Sequence, residues 1–224
     1  MLQILTSLQL ILIVVVIVYL TVNMIYLVRL EPVSQQLDDP PFVSVCVPAR
    51  DEERGIQACL ESLLVQDYPA FEVIVVNDHS TDRTGKLIHE LAGKYSRLIT
   101  LDGEGLPKDW LGKPFALHQA FQKAKGEILL FTDADPIFEP NALQTAVFTM
   151  QERNLDALTL MPKAEFGSFW ERAVQPTIFG FIGSLTRFGK VNSQDHKSAM
   201  GFGAFLMFKR SAYEAIGGHK DGKA

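Results

Sequence analysis

Residues 2–28 carry no charge, and 21 of these 27 positions are hydrophobic. Crossing ~30 Å of hydrocarbon takes about 20 helical residues. The run is therefore long enough to span a bilayer with some tilt. A secretory leader would show a basic start, an apolar core of about 7–15 residues and a small-residue cleavage site. Nothing basic precedes this run, it is longer than such a core, and no such cleavage site is obvious. A retained anchor over residues 1–29 is expected. Tyr19 and Tyr26 suit a membrane interface, and Arg29 comes directly after the run. By the positive-inside rule that arginine puts the downstream chain on the cytoplasmic side. The expected location is a cell membrane, crossed once, with the globular part cytoplasmic.

Residues 30–41 are polar and include Pro32, Pro40 and Pro41, so they read as a linker and not as one long helix. Residues 42–224 then form the globular domain. The net charge is −5 and no Lys/Arg run is present, which argues against nucleic acid as a partner. Two cysteines exclude a disulfide scaffold and a four-cysteine zinc site. Cys46 lies in a strand-like run and Cys59 in a helical one, as buried thiols of a reducing compartment would.

Residues 42–48 (FVSVCVP), 71–76 (FEVIVV) and 127–132 (EILLFT) are short, nearly continuous apolar runs, with weaker ones at 97–101 and 157–161. They predict strands. Between them, 51–64, 82–94, 114–124 and 140–151 predict helices, with Ser80 or Thr81 as a cap for the second. Alternation of this kind specifies an α/β domain with a mainly parallel sheet, helices on both faces and continuously apolar strands. Three strands end in acid-containing turns: Pro48-Ala49-Arg50-Asp51-Glu52, Asn77-Asp78 and Asp133-Ala134-Asp135. Ligands of open α/β sheets bind at the carboxyl ends of strands, so these turns are expected to converge on one crevice.

Asp133 and Asp135 offer hard oxygen ligands for magnesium or manganese, with substrate phosphates completing the shell; the alternative is a solvated turn. Asp78 either makes an Asx-turn or cap, or accepts hydrogen bonds from a nucleobase imide or a ribose. Lys113 is either a surface lysine or a counter-charge for a nucleotide. Dinucleotide and P-loop fingerprints are absent, as are G-x-S-x-G and H-E-x-x-H.

The stretch 43–53 (VSVCVPARDEE) resembles the opening strand of the family 2 glycosyltransferases. Residues 61–69 (ESLLVQDYP) and 73–84 (VIVVNDHSTDRT) continue the likeness. So do Gly112-Lys113 with Ala116-Leu117, the D-x-D motif at 132–135 (TDAD), and 201–210 (GFGAFLMFKR) with Ala212-Tyr213 and Gly217-Gly218-His219. The resemblance covers residues 42–221. It implies a GT-A fold and inverting transfer from a nucleotide-diphosphate sugar, with uridine as the nucleoside and a manganese or magnesium ion as cofactor. Pro48, Ala49, Arg50, Glu52, Asp78, Lys113, Asp133, Ala134 and Asp135 would form the nucleotide-sugar site. Asp133 and Asp135 would hold the metal. Gly201, Phe202, Gly203, Gly217, Gly218 and His219 would lie on the acceptor side.

The family's catalytic base lies in an acidic pair after the Gly-Gly segment. Here only Asp221 comes after it, so the base is expected beyond Ala224 in a chain truncated at its C-terminus. The DWLGK segment at 109–113 and Gly-Gly-His resemble the anchored, carotenoid- and hopanoid-associated members, which implies a lipid or isoprenoid acceptor. Residues 166–190 add Phe166, Phe169, Trp170, Ile178, Phe179, Phe181, Ile182, Leu185 and Phe188. The uncharged run 173–186 is too short to span, and reads either as an interfacial segment or as a buried helix pair. Two other functions remain open from sequence: a fragment of a polysaccharide synthase, and a non-catalytic nucleotide-sugar-binding membrane protein.

Overall fold

A computed structural model describes residues 2–27, 29–33, 35, 37–186, 188–193 and 199–222. The chain divides into two compact units, 1–29 with 163–200, and 30–162 with 201–224. The sequence reading assigned 42–224 to one domain; here 163–200 groups with the N-terminal helix.

The larger unit is built on β1 (Val43–Ala49), β2 (Phe71–Asn77), β3 (Leu98–Asp102), β4 (Ile128–Phe131), β5 (Ala157–Thr159) and β6 (Leu206–Lys209). The sheet order is β3-β2-β1-β4-β6-β5. β1 pairs in parallel with β2 and β4, and β2 with β3. β6 runs antiparallel to both β4 and β5. It was not expected from sequence. The order reverses at β1, with β2 on one side and β4 on the other, which opens a crevice at their carboxyl ends.

Alternate residues of the central strands feed two cores. Val43, Val45, Val47, Val73, Val75 and Leu130 pack on one face. They meet α2 (Ile56–Leu64), α3 (Thr84–Ala92) and α5 (Ala142–Glu152) through Leu60, Ile88 and Leu143. Cys46, Ile74, Val76, Leu129 and Phe131 pack on the other. There they meet α4 (Gly112–Lys123), and Tyr213 of α8 (Arg210–Ala215). Burial on both faces explains why β1 and β2 read as nearly continuous apolar runs, interrupted only by the mutually bonded Ser44 and Glu72. Cys46 and Cys59 are free and buried.

The linker does not stand clear of this unit. The Val33 amide donates to Thr145 Oγ1 at 3.1 Å, the Gln35 carbonyl accepts from Gln144 Nε2 at 2.5 Å, and Leu37 packs on the core. Between α4 and β4 the chain turns through Lys125 and Gly126. Ser44 Oγ accepts from both amides, and Glu72 Oε1 accepts from the Lys125 amide and from Ser44 Oγ at 2.8 and 2.7 Å. Arg210 donates to the carbonyls of Gly126 and Ala124. A Cβ on Gly126 would lie 2.5 Å from the Ser44 nitrogen.

The smaller unit holds α1 (Leu2–Ile25), α6 (Phe169–Leu185) and α7 (Phe188–Val191). In α1, Thr6–Ile25 is 20 residues long with a mean hydropathy of 2.6 over an 18-residue window, long and apolar enough to cross a membrane. A capping box starts α6: Ser168 Oγ accepts from the Glu171 amide and Glu171 Oε2 from the Ser168 amide. Its large side chains are exposed, Phe169 by 74% and Trp170 by 72%, so among the described residues α6 is not buried, whereas Phe188 of α7 is.

Gly126→Ala is expected to cost about 3 kcal/mol, because backbone and not a flexible side chain occupies the space of the new methyl. Gly105→Ala, where nothing lies within 4 Å, is the control. Chemical unfolding of both variants beside the parent checks the difference.

Candidate functional site

β1, β2 and β4 deliver three turns to one end of the sheet. The Asp78 amide donates to the Ala49 carbonyl at 2.8 Å, and that of Thr132 to the Cys46 carbonyl at 3.2 Å, tying each turn to β1. The turns surround a cleft of about 290 Å³ lined by Pro48, Ala49, Arg50, Glu52, Asp78, Gly112, Lys113, Asp133, Ala134 and Asp135. All nine residues expected at a nucleotide-sugar site meet there. Gly112 joins them because its backbone runs against Asp78; a Cβ would sit 3.3 Å from Asp78 Oδ2.

Four carboxylates and two cations share this cleft. Lys113 pairs with Asp133, and Arg50 Nη1 lies 3.8 Å from Asp78 Oδ2. His79 Nδ1 is 3.1 Å from Asp78 Oδ1. Partial burial, then the charges of Asp135 and Asp133, push the Glu52 carboxyl above its ordinary range. Behind the D-x-D turn, Cys59 Sγ donates to the Asp133 carbonyl at 3.7 Å. Burial, then the charges of Asp135 and Asp133, raises that thiol to about 12, so it is a neutral prop.

The β1 and β2 turns are latched together by groups that sequence reasoning gave another role or missed. The Asp51 amide donates to Ser80 Oγ, and Asp51 Oδ1 accepts from the Thr81 amide at 2.7 Å. The Glu52 amide donates to Thr84 Oγ1 at 2.8 Å, and the Glu53 amide to Asp82 Oδ2 at 3.1 Å. Glu53 Oε2 accepts from the Arg83 amide at 3.2 Å in return. The expectation that Ser80 or Thr81 caps α3 is thereby corrected: α3 has Arg83 at its N-cap and no side-chain cap bond. The latch also explains why α2 starts at Ile56 and not at Asp51. Asp51 holds a positive φ of 54° to make the turn.

Among the described residues, no group of three or more His, Cys, Asp or Glu side chains is placed to hold a metal by itself. The two aspartates of the D-x-D turn fit the other arrangement. A hard divalent cation held by one or two carboxylates completes its shell with water and substrate phosphates.

The six expected acceptor-side residues separate. A Cβ on Gly203 would lie 3.6 Å from both Asp133 carboxylate oxygens and from Lys113 Nζ, so this glycine borders the cleft. The Phe202 amide donates to Thr159 Oγ1, and Gly201 lies against Leu206. Gly217, Gly218 and His219 are not among the cleft-lining residues. Gly218 abuts the Tyr213 ring, and His219 packs edge-on to Phe131.

Residues 44–217 match the profile of Glycosyl transferase family 2. The chain belongs to that family. It is 26% identical over 206 residues to the 4,4'-diaponeurosporenoate glycosyltransferase of Staphylococcus haemolyticus, a match covering 91% of this chain and 53% of that protein. It is 36% identical over 103 residues to the probable glycosyltransferase YdaM of Bacillus subtilis, covering 45% of this chain and 24% of that protein. The mannosyltransferase PcManGT of Pyrobaculum calidifontis, solved with GDP-Man and Mn2+, superposes with a TM-score of 0.66 at 25% identity, over 91% of this chain and 54% of that one. The chain thus spans between a quarter and about half of these relatives. The family's GT-A architecture is the one observed, with an antiparallel strand, β6, added to the parallel set.

In this member His219 has a structural place. Its Nδ1 is 2.5 Å from the Tyr213 hydroxyl, which also accepts from the His219 amide at 3.1 Å. Burial, then the charge of His118, holds its imidazole down to about 4. The unfolded chain takes up this proton near its ordinary 6.5 and the folded chain only near 4, so folded stability falls as pH drops through that window. Thermal unfolding from neutral pH down towards pH 4 is expected to show that loss, and His219→Phe is expected to flatten the slope above about pH 4.

Proposed function

We propose that this chain carries the donor-binding part of a membrane-bound glycosyltransferase that uses a uridine-diphosphate sugar. The observation that carries this reading is the cleft at the strand-order reversal, where the acidic turns of β1, β2 and β4 face Arg50 and Lys113. Asp78 would accept hydrogen bonds from the uracil imide or the ribose. Arg50 and Lys113 would offset part of the diphosphate charge. To do so, Lys113 must leave Asp133, which frees that carboxylate for the ribose or a cation. Asp133 and Asp135 would hold a manganese or magnesium ion, whose chemistry when bound is to neutralise charge on the departing diphosphate.

Pro48 and Ala49 would line the base side with apolar surface. Ala134, buried between the two aspartates, would keep the turn tight against Gly55. Transfer would proceed by in-line attack of an acceptor oxygen on the anomeric carbon, with inversion, as the anomeric carbon–oxygen bond to the uridine diphosphate breaks and an acidic base takes any acceptor proton. The 4,4'-diaponeurosporenoate enzyme, matched over most of this chain, supports a lipid or isoprenoid acceptor with a hydroxyl or carboxyl group. The length and hydropathy of α1, with Arg29 after it, support a single-pass anchor and a cytoplasmic site.

Calorimetric titration of the detergent-solubilised chain tests the donor reading. Uridine diphosphate is expected to bind in the presence of manganese, with affinity at least about tenfold weaker for Asp135→Ala, or about 1.4 kcal/mol. Guanosine diphosphate is expected to bind more weakly than the uridine nucleotide. Equal binding by the variant, or binding indifferent to manganese, would contradict the assigned role of the D-x-D turn.

A further inference from the structure

We propose that α6 is a second membrane-contacting element, lying in the lipid–water interface and fastened to the spanning helix by Asn23. The inference rests on reading α1 as a bilayer span. Among the described residues of α1, Asn23 is buried, only 7% accessible two residues before the helix ends, while most of its neighbours are exposed. Its Nδ2 donates to the carbonyls of Gly183 and Thr186 at 2.6 and 2.5 Å, and its Oδ1 accepts from the Phe188 amide at 3.1 Å. Asn192 Nδ2 donates in turn to the Tyr26 carbonyl at 2.8 Å. One side chain thus satisfies the loose carbonyls at the end of α6 and the amide that opens α7, groups that would otherwise need water. A polar residue near the end of an apolar span requires such partners. Because the fastening sits at the end of α1, just before Arg29, it fixes α6 at headgroup depth and not at the bilayer centre.

The exposed side of α6 then has a definite character. Trp170, Val174, Ile178, Phe181 and Leu185 succeed one another at spacings of four, four, three and four, and so fall within an arc of about 80° on a helix turning ~100° per residue. All five are exposed, Leu185 by 70%. Gln175, Gly183 and Thr186 are less exposed and fall on another face by the same spacing. The stripe is therefore not the surface that meets α1.

Lipid is the occupant that fits. The stripe belongs to the same compact unit as α1, whose own apolar side chains are exposed to the same degree, Leu12 by 64% and Ile17 by 57%. The uncharged stretch 173–186 is about 21 Å long as a helix, short of the ~30 Å needed to cross. A helix with an apolar stripe, too short to span and with Trp170, Glu171 and Arg172 at one end, lies in the interface. The unit is joined to the globular part at three points in the chain, after Arg29, before Lys163 and after Met200. A seated α6 would thus tether that part to the bilayer by more than its N-terminal end.

Bromolipid quenching tests this in the full chain, reconstituted in phosphatidylcholine vesicles. The chain has two tryptophans, so Trp110→Phe leaves Trp170 as the sole reporter. A second variant, Val15→Trp with Trp110→Phe and Trp170→Phe, reports on α1. Trp170 is expected to be quenched more by bromines near the headgroups than by bromines at the chain ends, and Val15→Trp in the opposite order. Failure of Val15→Trp to be quenched would sink the span reading itself. Quenching of Val15→Trp while Trp170 answers only to aqueous iodide would overturn the inference and leave the span intact. Trp170 shielded from both quenchers would overturn it as well, in favour of a protein surface or second copy on the stripe. For the fastening, Asn23→Leu keeps α1 apolar, and hydrogen exchange across residues 183–190 is expected to quicken about tenfold. Unchanged protection would remove Asn23 from the proposal.

Discussion

Four carboxylates converge where β1, β2 and β4 end, and the rest of the larger unit is organised around holding them together. Parallel strands place their carboxyl ends at one edge, and the reversal of order at β1 opens the crevice between them. Like charges in so small a space repel. Lys113 and Arg50 relieve part of this, and the Glu52 carboxyl is raised by its partial burial first and by the charges of Asp135 and Asp133 second. Four carboxylates against two cations leave an excess of negative charge, which under the proposed function a divalent cation would offset so that a phosphate-bearing ligand could enter.

Such a site has to be rigid to be selective, and the rigidity comes from backbone amides. The β1 turn donates from Asp51, Glu52 and Glu53, and Ser80 and Asp82 of the β2 turn and Thr84 at the start of α3 accept. Asp51 and Glu53 return bonds to Thr81 and Arg83. This reciprocity leaves the Arg50 and Asp78 side chains aimed at the cleft. Under the D-x-D turn, Cys59 and the backbone of Gly55 fill the space that a looser turn would collapse into.

Much of this was legible in the sequence because its signals are local. Apolar runs that stop abruptly at acidic turns mark parallel strands, and all nine residues expected to line a nucleotide-sugar site do line one cleft. What escaped notice is non-local. β6 has the short, unpunctuated sequence LMFK, and its strand character depends on pairing with β4 and β5 far away in the chain. Ser80 and Thr81 look like helix caps from spacing alone. Only the fold shows that the Asp51 amide and carboxylate reach them first. His219 sits in a glycine-rich motif that spacing cannot orient, and the structure turns it onto Phe131 and Tyr213. The apolar residues of 166–190 were visible, but the bonds from Asn23 that select one arrangement span about 160 residues.

The most direct measurement is a crystal structure of the chain with uridine diphosphate and manganese, with anomalous scattering collected to locate the ion. The account predicts an anomalous peak beside Asp135, the uracil or ribose against Asp78, and Lys113 released from Asp133. Nucleotide bound outside the cleft, or manganese away from the D-x-D turn while Lys113 keeps its pairing with Asp133, would contradict it.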